Sequence, residues 1–280
     1  MKKIILPLAF VFAVGTLSAQ SNISNVTQGG SDNAANITQV GGQNQSLVIQ
    51  RDNDNTADIS QNGAANASEV RAAGGENIVD VTQDGDLNSS ASLITEASNT
   101  VSSSQVGDGN VTRQEIDNTG SQVTSIQEGT GNKTIQTLTG VGSNRAFSQT
   151  VGDNNISTIS IDGENSNVFV DQLGNSSTAT IEQIGVSNNV NAAQVGNSNT
   201  MSVRQNGNNN FAGGENEVLL SQLGNRNNSV LVQEGSENAA SLLQDGNAND
   251  AINTQTGQSN NSIIDQMGNR NSATVSQSEN

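Results

Sequence analysis

Residues 55–63 read Asn-Thr-Ala-Asp-Ile-Ser-Gln-Asn-Gly, and this stretch contains the pattern that decides the fold. From Asn55 to Gln61 the odd-numbered residues are Asn, Ala, Ile and Gln, whereas the residues between them are Thr, Asp and Ser. This alternation is typical of a β-strand with one buried face. Gly63 follows the glutamine by two residues, where a tight turn often needs a positive φ. The stretch therefore predicts a strand followed by a turn.

The same eleven-residue unit, Asn/Ser-x5-Gln-x-Gly-x-x, recurs along almost the whole chain. We call its seven residues from Asn or Ser to Gln an arm; Ser replaces Asn at Ser121, Ser143, Ser166 and Ser177. Repetition in fixed phase overrides the disorder that few aromatic residues and abundant Asn, Ser and Gly would otherwise indicate. The predicted glutamine ladder comprises Gln28, Gln39, Gln50, Gln61, Gln83, Gln105, Gln127, Gln149, Gln172, Gln183, Gln194, Gln205, Gln222, Gln233, Gln244, Gln255, Gln266 and Gln277. The predicted arm-start ladder comprises Asn22, Asn33, Asn44, Asn55, Asn66, Asn77, Asn188, Asn199, Asn227, Asn238, Asn249, Asn260 and Asn271.

One arm cannot bury its face alone, so two arms would fold together into a coil, and coils would stack. Between residues 72 and 172 the last arm position alternates between an apolar residue and Gln, as in Ala72, Gln83, Ile94 and Gln105. A two-arm coil separates these into two ladders, whereas a three-arm coil would mix them. The sequence predicts an all-β, two-arm β-solenoid of about twelve coils, with cross-β-like ladders of Gln and Asn amides.

Two places interrupt the repeat. Residues 149–152 carry one residue too many, which predicts a bulge near residues 150–152, and Arg145 falls on a nominally inward position beside Phe147. Gln205 and Gln222 are separated by more than one unit. Near residues 206–216 either a loop protrudes, or half a coil is missing and the two ladders exchange sides.

The first nineteen residues have the features of a secretory signal peptide. Lys2 and Lys3 precede an apolar run, and small residues follow at Ser18 and Ala19. We expect residues 1–19 to be removed, residues 20–280 to form the solenoid, and contact with a membrane to occur only through the signal.

The formal charge is −17 for the whole chain and −19 without Lys2 and Lys3. Such an acidic chain, without Trp, Tyr or His, repels phosphate backbones and offers almost no rings for base stacking. Nucleic acid is not expected as a partner. Without His or Cys, catalysis would need paired carboxylates in a pocket, and the acidic residues are scattered, so we expect no enzyme. No cofactor or metal site is expected either, because the Gly-Gly-x-Gly-x-Asp calcium repeat never recurs. An ice-binding solenoid is not expected, because no regular array of threonines is present on one face.

The repeat resembles that of the curlin family, the subunits of curli fibres. Ser166-x5-Gln172-x-Gly174, followed by Ser177-x5-Gln183-x-Gly185-x-x-Asn188-x5-Gln194, follows the curlin pattern Ser-x5-Gln-x-Gly-x-x-Asn-x5-Gln. The resemblance extends from Asn22 to Asn280. It implies a secreted, extracellular or cell-surface subunit that polymerises into amyloid fibres for biofilm matrix and adhesion. It also implies a nucleator subunit and a secretion channel as further partners.

This chain departs from the family in having more repeats, and in having no non-repetitive stretch between the signal and the first repeat at Asn22. The export route, and the choice between major subunit and nucleator, therefore stay open. Because the repeat starts and ends in phase, no capping element is expected over either strand edge, and copies should stack end to end as a homopolymer. The alternative is a monomeric β-solenoid that acts as a surface adhesin or spacer.

Overall fold

The computed structural model describes residues 21–212 and 220–279, which form only β-strands and turns. The expected signal peptide, residues 1–19, lies outside the described residues. Within the described ranges there is no helix of the length and apolar character needed to cross a membrane.

The strands follow the repeat closely, each ending at or just beyond the Gln position of an arm. In chain order they are β1 (Ile23–Gln28), β2 (Ala34–Gly42), β3 (Gln45–Gln50), β4 (Thr56–Ala64), β5 (Ala67–Ala72), β6 (Ile78–Asp84), β7 (Ser89–Ile94), β8 (Thr100–Val106), β9 (Val111–Asp117), β10 (Gln122–Glu128), β11 (Lys133–Thr139), β12 (Arg145–Val151), β13 (Ile156–Glu164), β14 (Asn167–Leu173), β15 (Thr178–Val186), β16 (Asn189–Val195), β17 (Thr200–Asn206), β18 (Phe211–Ala212), β19 (Leu220–Leu223), β20 (Asn228–Ser236), β21 (Ala239–Asp245), β22 (Asp250–Gln258), β23 (Asn261–Met267) and β24 (Ser272–Ser278).

Successive arms alternate between two parallel sheets. Sheet 1 contains β1, the odd-numbered strands to β17, and then β20, β22 and β24; sheet 2 contains the others, from β2 to β23. The register is regular, since Ala57 of β4 lies opposite Ala35 of β2 and Val79 of β6. Strands that are neighbours in a sheet are thus usually twenty-two residues apart, one coil of two arms.

The core lies between the sheets and is narrow. Each arm points a small or aliphatic residue inward, for example Val48, Val70, Ile94 and Ile116 in sheet 1. The buried polar side chains of the described residues are all Asn, Gln, Ser or Thr. The predicted all-β, two-arm solenoid with buried Asn and Gln ladders is therefore confirmed, and the alternation of apolar residues and Gln separates into two ladders as expected.

The predicted bulge at residues 150–152 is wrong, and so is the register assigned to that arm. β12 follows its sheet neighbour β10 by twenty-three residues, and β13 follows β11 by twenty-three, since Arg145 lies opposite Gln122 and Ile156 opposite Lys133. The extra residue therefore lies in the preceding turn, between Thr139 and Arg145, so that Asn144 rather than Ser143 starts the arm.

The physical reason for this register is the chemistry of the shifted side chains. Ala146, Ser148 and Thr150 now face the core, whereas Arg145 is exposed and Phe147 stacks on Phe169 with ring centroids 4.7 Å apart. Burying an unpaired guanidinium in place of a small side chain would cost several kcal/mol, more than one amide ladder bond contributes.

The second interruption is an insertion within an arm. The two strands β18 and β19 both pair with β16 and β21, so together they form one layer of sheet 2. Gln222 receives a bond from Gln194 and Gln233 one from Gln205, so neither ladder changes sheets. The missing half-coil is therefore excluded. The part of the predicted irregularity from residue 213 to 216 lies outside the described residues.

Candidate self-assembly site: amide ladders and open ends

Two ladders of glutamine side chains follow the axis of the solenoid. In each, the Nε2 of one glutamine donates to the Oε1 of the glutamine in the next coil toward the C-terminus, at 2.7–3.0 Å. The second Nε2 hydrogen goes to a main-chain carbonyl, as from Gln83 to the oxygen of Ala67 at 3.0 Å. An interior glutamine thus has both donors satisfied and one acceptor used. An unpaired buried amide would cost about 1–3 kcal/mol, so the ladder favours a single register.

Seventeen of the eighteen predicted glutamines lie inward and take part in these bonds. Gln149 does not: it is half-buried on the outer face opposite Ile126, and Thr150 occupies the ladder position opposite Gln127. The assignment of Gln149 to the ladder is therefore wrong, for the same one-residue shift that keeps Arg145 in solvent.

The arm-start asparagines form two further ladders that fasten the turns. The Oδ1 of Asn44 accepts the main-chain N–H of Asn66 at 3.0 Å, and its Nδ2 donates to the carbonyls of Val40 and Gly63. All thirteen predicted asparagines take part in such ladders. The same position is also occupied by Asn88, Asn99, Asn110, Asn132, Asn144, Asn155 and Asn210, which the prediction did not name.

A shorter glutamine ladder was also missed. Gln114 and Gln136 are fully buried two residues before Ile116 and Leu138, and Gln114 donates to Gln136 at 3.0 Å. Most arms have an aliphatic residue at this position, so the repeat predicted an aliphatic residue there and not a glutamine. The two glutamines could have been recognised because they lie one coil apart on the inward face of their arms.

The long ladders are interrupted at the middle of the rod. In sheet 2, Thr150 separates Gln127 from Gln172; in sheet 1, Ile161 precedes Gln183. The Oε1 atoms of Gln172 and Gln183 are buried and have no hydrogen-bond partner among the described residues.

We expect Thr150→Gln to stabilise the solenoid by about 1–2 kcal/mol. The new amide would accept from Gln127 and donate to the unpartnered Oε1 of Gln172, making the sheet 2 ladder continuous. The denaturant midpoint of the unassembled protein measures this. Thr124→Gln, on the outer face of β10, is the matched control with no expected gain. A midpoint for Thr150→Gln at or below that of the unmodified protein would contradict the ladder account.

The outer faces carry the charges. Asp58 and Asp80 lie on neighbouring strands of sheet 2, and burial, followed by the negative charge of Asp58, raises the pKa of Asp80. Arg204 lies 3.4 Å from Glu182, and Arg71 and Arg113 contact Glu69 and Glu115 on their own strands. Exposed pairs of this kind contribute little to stability, so the amide ladders and the core carry the fold.

Acidic residues in the turns bond to the main chain. The Oδ1 of Asp108 accepts the N–H of Asp86 at 2.9 Å, and that of Asp153 accepts the N–H of Thr130 at 2.9 Å. In the C-terminal half of the same column asparagines take over, as where Asn247 accepts from Asn225 at 3.0 Å. The described residues hold no group of three or more metal-type ligands.

Both ends of the described rod leave ladders and core open. Gln266 and Gln277 donate only to the carbonyl oxygens of Asp250 and Asn261. Each therefore keeps one Nε2–H without an acceptor among the described residues. In the interior of an unbroken ladder, the equivalent N–H donates to the glutamine of the next coil. The strands β1, β2, β23 and β24 each pair with only one other strand among the described residues. The inward apolar residues packed on the core but only partly buried all lie in the end arms: Val26, Ala35, Ile37, Ala273 and Val275.

Comparison with known protein families points the same way as the fold. Residues 53–91, 174–207 and 213–246 match the family model of the curlin associated repeat. No curated protein matches the chain. The matched segments lie in both halves of the solenoid, and the arms between them continue the same two sheets. These three segments therefore carry curlin repeats, the repeats of a family of structural proteins found outside the cell or at its surface.

Proposed function

We propose that the protein is a secreted subunit that adds end to end to copies of itself, forming extracellular amyloid fibres of the curli kind for adhesion and biofilm matrix. Residues 1–19 would direct export, and a nucleator subunit and a secretion channel would be further partners. The observation that carries the proposal is the character of the rod ends. Among the described residues, each end combines strands paired on one side only, unused ladder groups and partly buried inward apolar side chains that another coil would bury.

The two ends are complementary rather than alike. Since all strands are parallel and every ladder bond runs in one direction, the C-terminal end offers Nε2 donors. The N-terminal end offers the Oε1 atoms of Gln28 and Gln39. Joining them would continue both ladders and remove about five partly buried apolar side chains from water, which favours association by the hydrophobic effect. In a monomeric adhesin or spacer, the described residues would leave these edges open to water.

The main-chain hydrogen bonds of β24 show where one substitution could block fibre growth without unfolding the subunit. The N–H of Asp250 in β22 donates to the carbonyl of Asn271, and the parallel register makes the N–H groups of Ser272, Thr274 and Ser276 point away from β22. These groups are needed only by a further coil. We therefore expect Thr274→Pro to leave the solenoid folded, because proline is tolerated on an edge strand, and to reduce fibre elongation at least about tenfold.

Seeded growth measured by thioflavin fluorescence tests this expectation, with circular dichroism as the check on folding. Thr274→Ala keeps the N–H and is the matched control, which should elongate at the rate of the unmodified protein. Equal elongation by the proline variant would argue against growth through this edge. A folded protein that never elongates in any form would leave the adhesin or spacer alternative.

A further inference from the structure

Whether a copy has an odd or an even number of arms decides which of its sheets can continue into the sheets of the next copy. Sheet 1 contains twelve layers and sheet 2 only eleven, because β18 and β19 share one layer; the described solenoid therefore has twenty-three arms. The first arm, which includes β1, and the last arm, which includes β24, both belong to sheet 1. Because a coil has two arms, the last coil of the described rod is only half complete.

Continuing the rod in the same orientation would create a defect. If β1 of the next copy followed β24 in sheet 1, then in sheet 2 the next copy's β2 would lie two layers from β23, about 9.6 Å away. One arm would be missing there. Gln266 would remain without a ladder acceptor, and the outer edge of β23 without a neighbouring strand.

We propose that copies of these twenty-three arms stack with a half-turn about the fibre axis, so that sheet 1 of one copy continues as sheet 2 of the next. This inference rests on the proposed function. In the solenoid each arm is followed by an arm on the opposite sheet, half a layer further on. The arm that should follow β24 therefore belongs above β23, and a half-turn brings β1 of the next copy to that place and its β2 above β24.

The two sheets are similar enough for this exchange, because both are built from the same arm. Gln nitrogen atoms donate to the glutamine one coil ahead in both, as from Gln83 to Gln105 in sheet 2 and from Gln183 to Gln205 in sheet 1. Their turns also match: Gly63 has a φ of 120° at the end of a sheet 2 arm, and Gly185 has a φ of 112° at the end of a sheet 1 arm.

The side chains that would meet across the joint are matched in kind. In β24, Ala273 and Val275 would cover Ala35 and Ile37 of the next copy's β2, small on small and aliphatic on aliphatic. In β23, Ser262 and Ile264 would likewise cover Ser24 and Val26 of β1.

The polar ladders would continue across the same joint. Gln277 and Gln266 would donate to Gln39 and Gln28 of the next copy, and Asn271 and Asn260 would accept the main-chain N–H groups of its Asn33 and Asn22. Each of these bonds repeats one found in the interior, such as that from the N–H of Asn271 to Asn249 at 3.0 Å. A fibre of this kind advances about 55 Å and rotates by a half-turn per copy, before any twist of the rod is added.

Cysteine pairs distinguish the two orientations, and the chain has no cysteine of its own. Asn25, Asn36 and Thr274 are exposed, occupy the same place in their arms and point outward. With the half-turn, Thr274 lies beside Asn36 of the next copy, about 4.8 Å away between Cα atoms, and on the opposite face from its Asn25. Without the half-turn, Thr274 lies beside Asn25 instead.

The experiment treats fibres of residues 20–280 with a thiol-reactive cross-linker about 5–6 Å long, within the distance between neighbouring strands. Fibres of the Asn36→Cys/Thr274→Cys variant should give covalent dimers and longer chains on a denaturing gel, at least about fivefold more than fibres of Asn25→Cys/Thr274→Cys. Cross-linking chiefly in the second variant, equally in both, or in neither while fibres form would overturn the half-turn alone. Failure of every variant and of the unmodified protein to form fibres would overturn the proposed function, and the half-turn with it.

Discussion

Replacing Gln105 by Glu is expected to destabilise the solenoid by about 3–5 kcal/mol at neutral pH, because it places an uncompensated charge in the core. Gln105 is fully buried; it accepts from Gln83 and donates to Gln127 and to the carbonyl of Ser89. A carboxylate could still accept from Gln83, but it would face the other two oxygen atoms with no hydrogen to donate. Repulsion and desolvation therefore add to the two lost bonds.

The penalty depends on pH, and its sign follows from the direction of the pKa change. Burial against oxygen atoms raises the pKa of the introduced carboxyl above the ordinary value of about 4.3 for the unfolded chain. Below the unfolded value the group is protonated in both states and the charge penalty is absent. The penalty grows as the pH rises from about 4.3 to the raised folded value, and is constant above it.

Denaturant midpoints between pH 4 and pH 8 measure both features. Gln149→Glu makes the same chemical change on the outer face of β12, where the side chain is half-exposed. Because it would lie opposite Asp171 of β14, it should cost up to about 1 kcal/mol at neutral pH, well below the effect at Gln105. Equal effects of the two substitutions at pH 7 would mean that Gln105 is not in a buried ladder, and would also restore Gln149 to the role first assigned to it.

Gly107→Ala is the second change with a large expected effect, at least about 2–3 kcal/mol. Gly107 has a φ of 102°, and a Cβ there would lie 2.2 Å from the carbonyl oxygen of Gly129 in the next coil. Because the obstructing atom is main chain and is held in the next layer, no side-chain rotation relieves the clash. The two coils would have to separate locally, which would weaken the ladder bond between Gln105 and Gln127.

The control for this substitution lies in the same turn. Gly109 has a φ of 65°, and a Cβ there would meet nothing within 4 Å. In other coils the equivalent position is occupied by Ala65 and Ala248, with φ of 58° and 55°. Gly109→Ala should therefore cost only about 1 kcal/mol for the left-handed conformation. Denaturant midpoints of both variants decide the matter, and an equal loss would show that backbone strain alone, rather than contact between coils, keeps glycine at position 107.

Most of the fold could be predicted because it depends on a repeated unit. The inward face of each arm, two arms to a coil, and the separation of Gln105 and Gln127 from Ile94 and Ile116 all follow from alternation and phase. What failed was local. A rule that favours Gln at the ladder position assigned Gln149 to it, whereas the cost of burying Arg145 moved the extra residue to the preceding turn.

The candidate site was predictable to a similar degree. The arm ends that would join copies follow from the phase of the repeat at Asn22 and at Gln277. The half-turn could not have been predicted, because it depends on the number of arms. That number depends on whether half a coil is missing near residues 206–222 or one arm is interrupted there. The pairing of β18 and β19 with the same two strands shows that one arm is interrupted.

Seeded assembly of residues 20–280 after removal from denaturant tests the central claim most directly, when combined with fibre diffraction. The account predicts a lag that preformed fibres abolish, and fibres that diffract at about 4.7–4.8 Å along their axis and near 10 Å across it. A β-rich protein that stays monomeric and gives no response to seeds would contradict it, and would leave a solenoid whose open ends serve some purpose other than self-assembly.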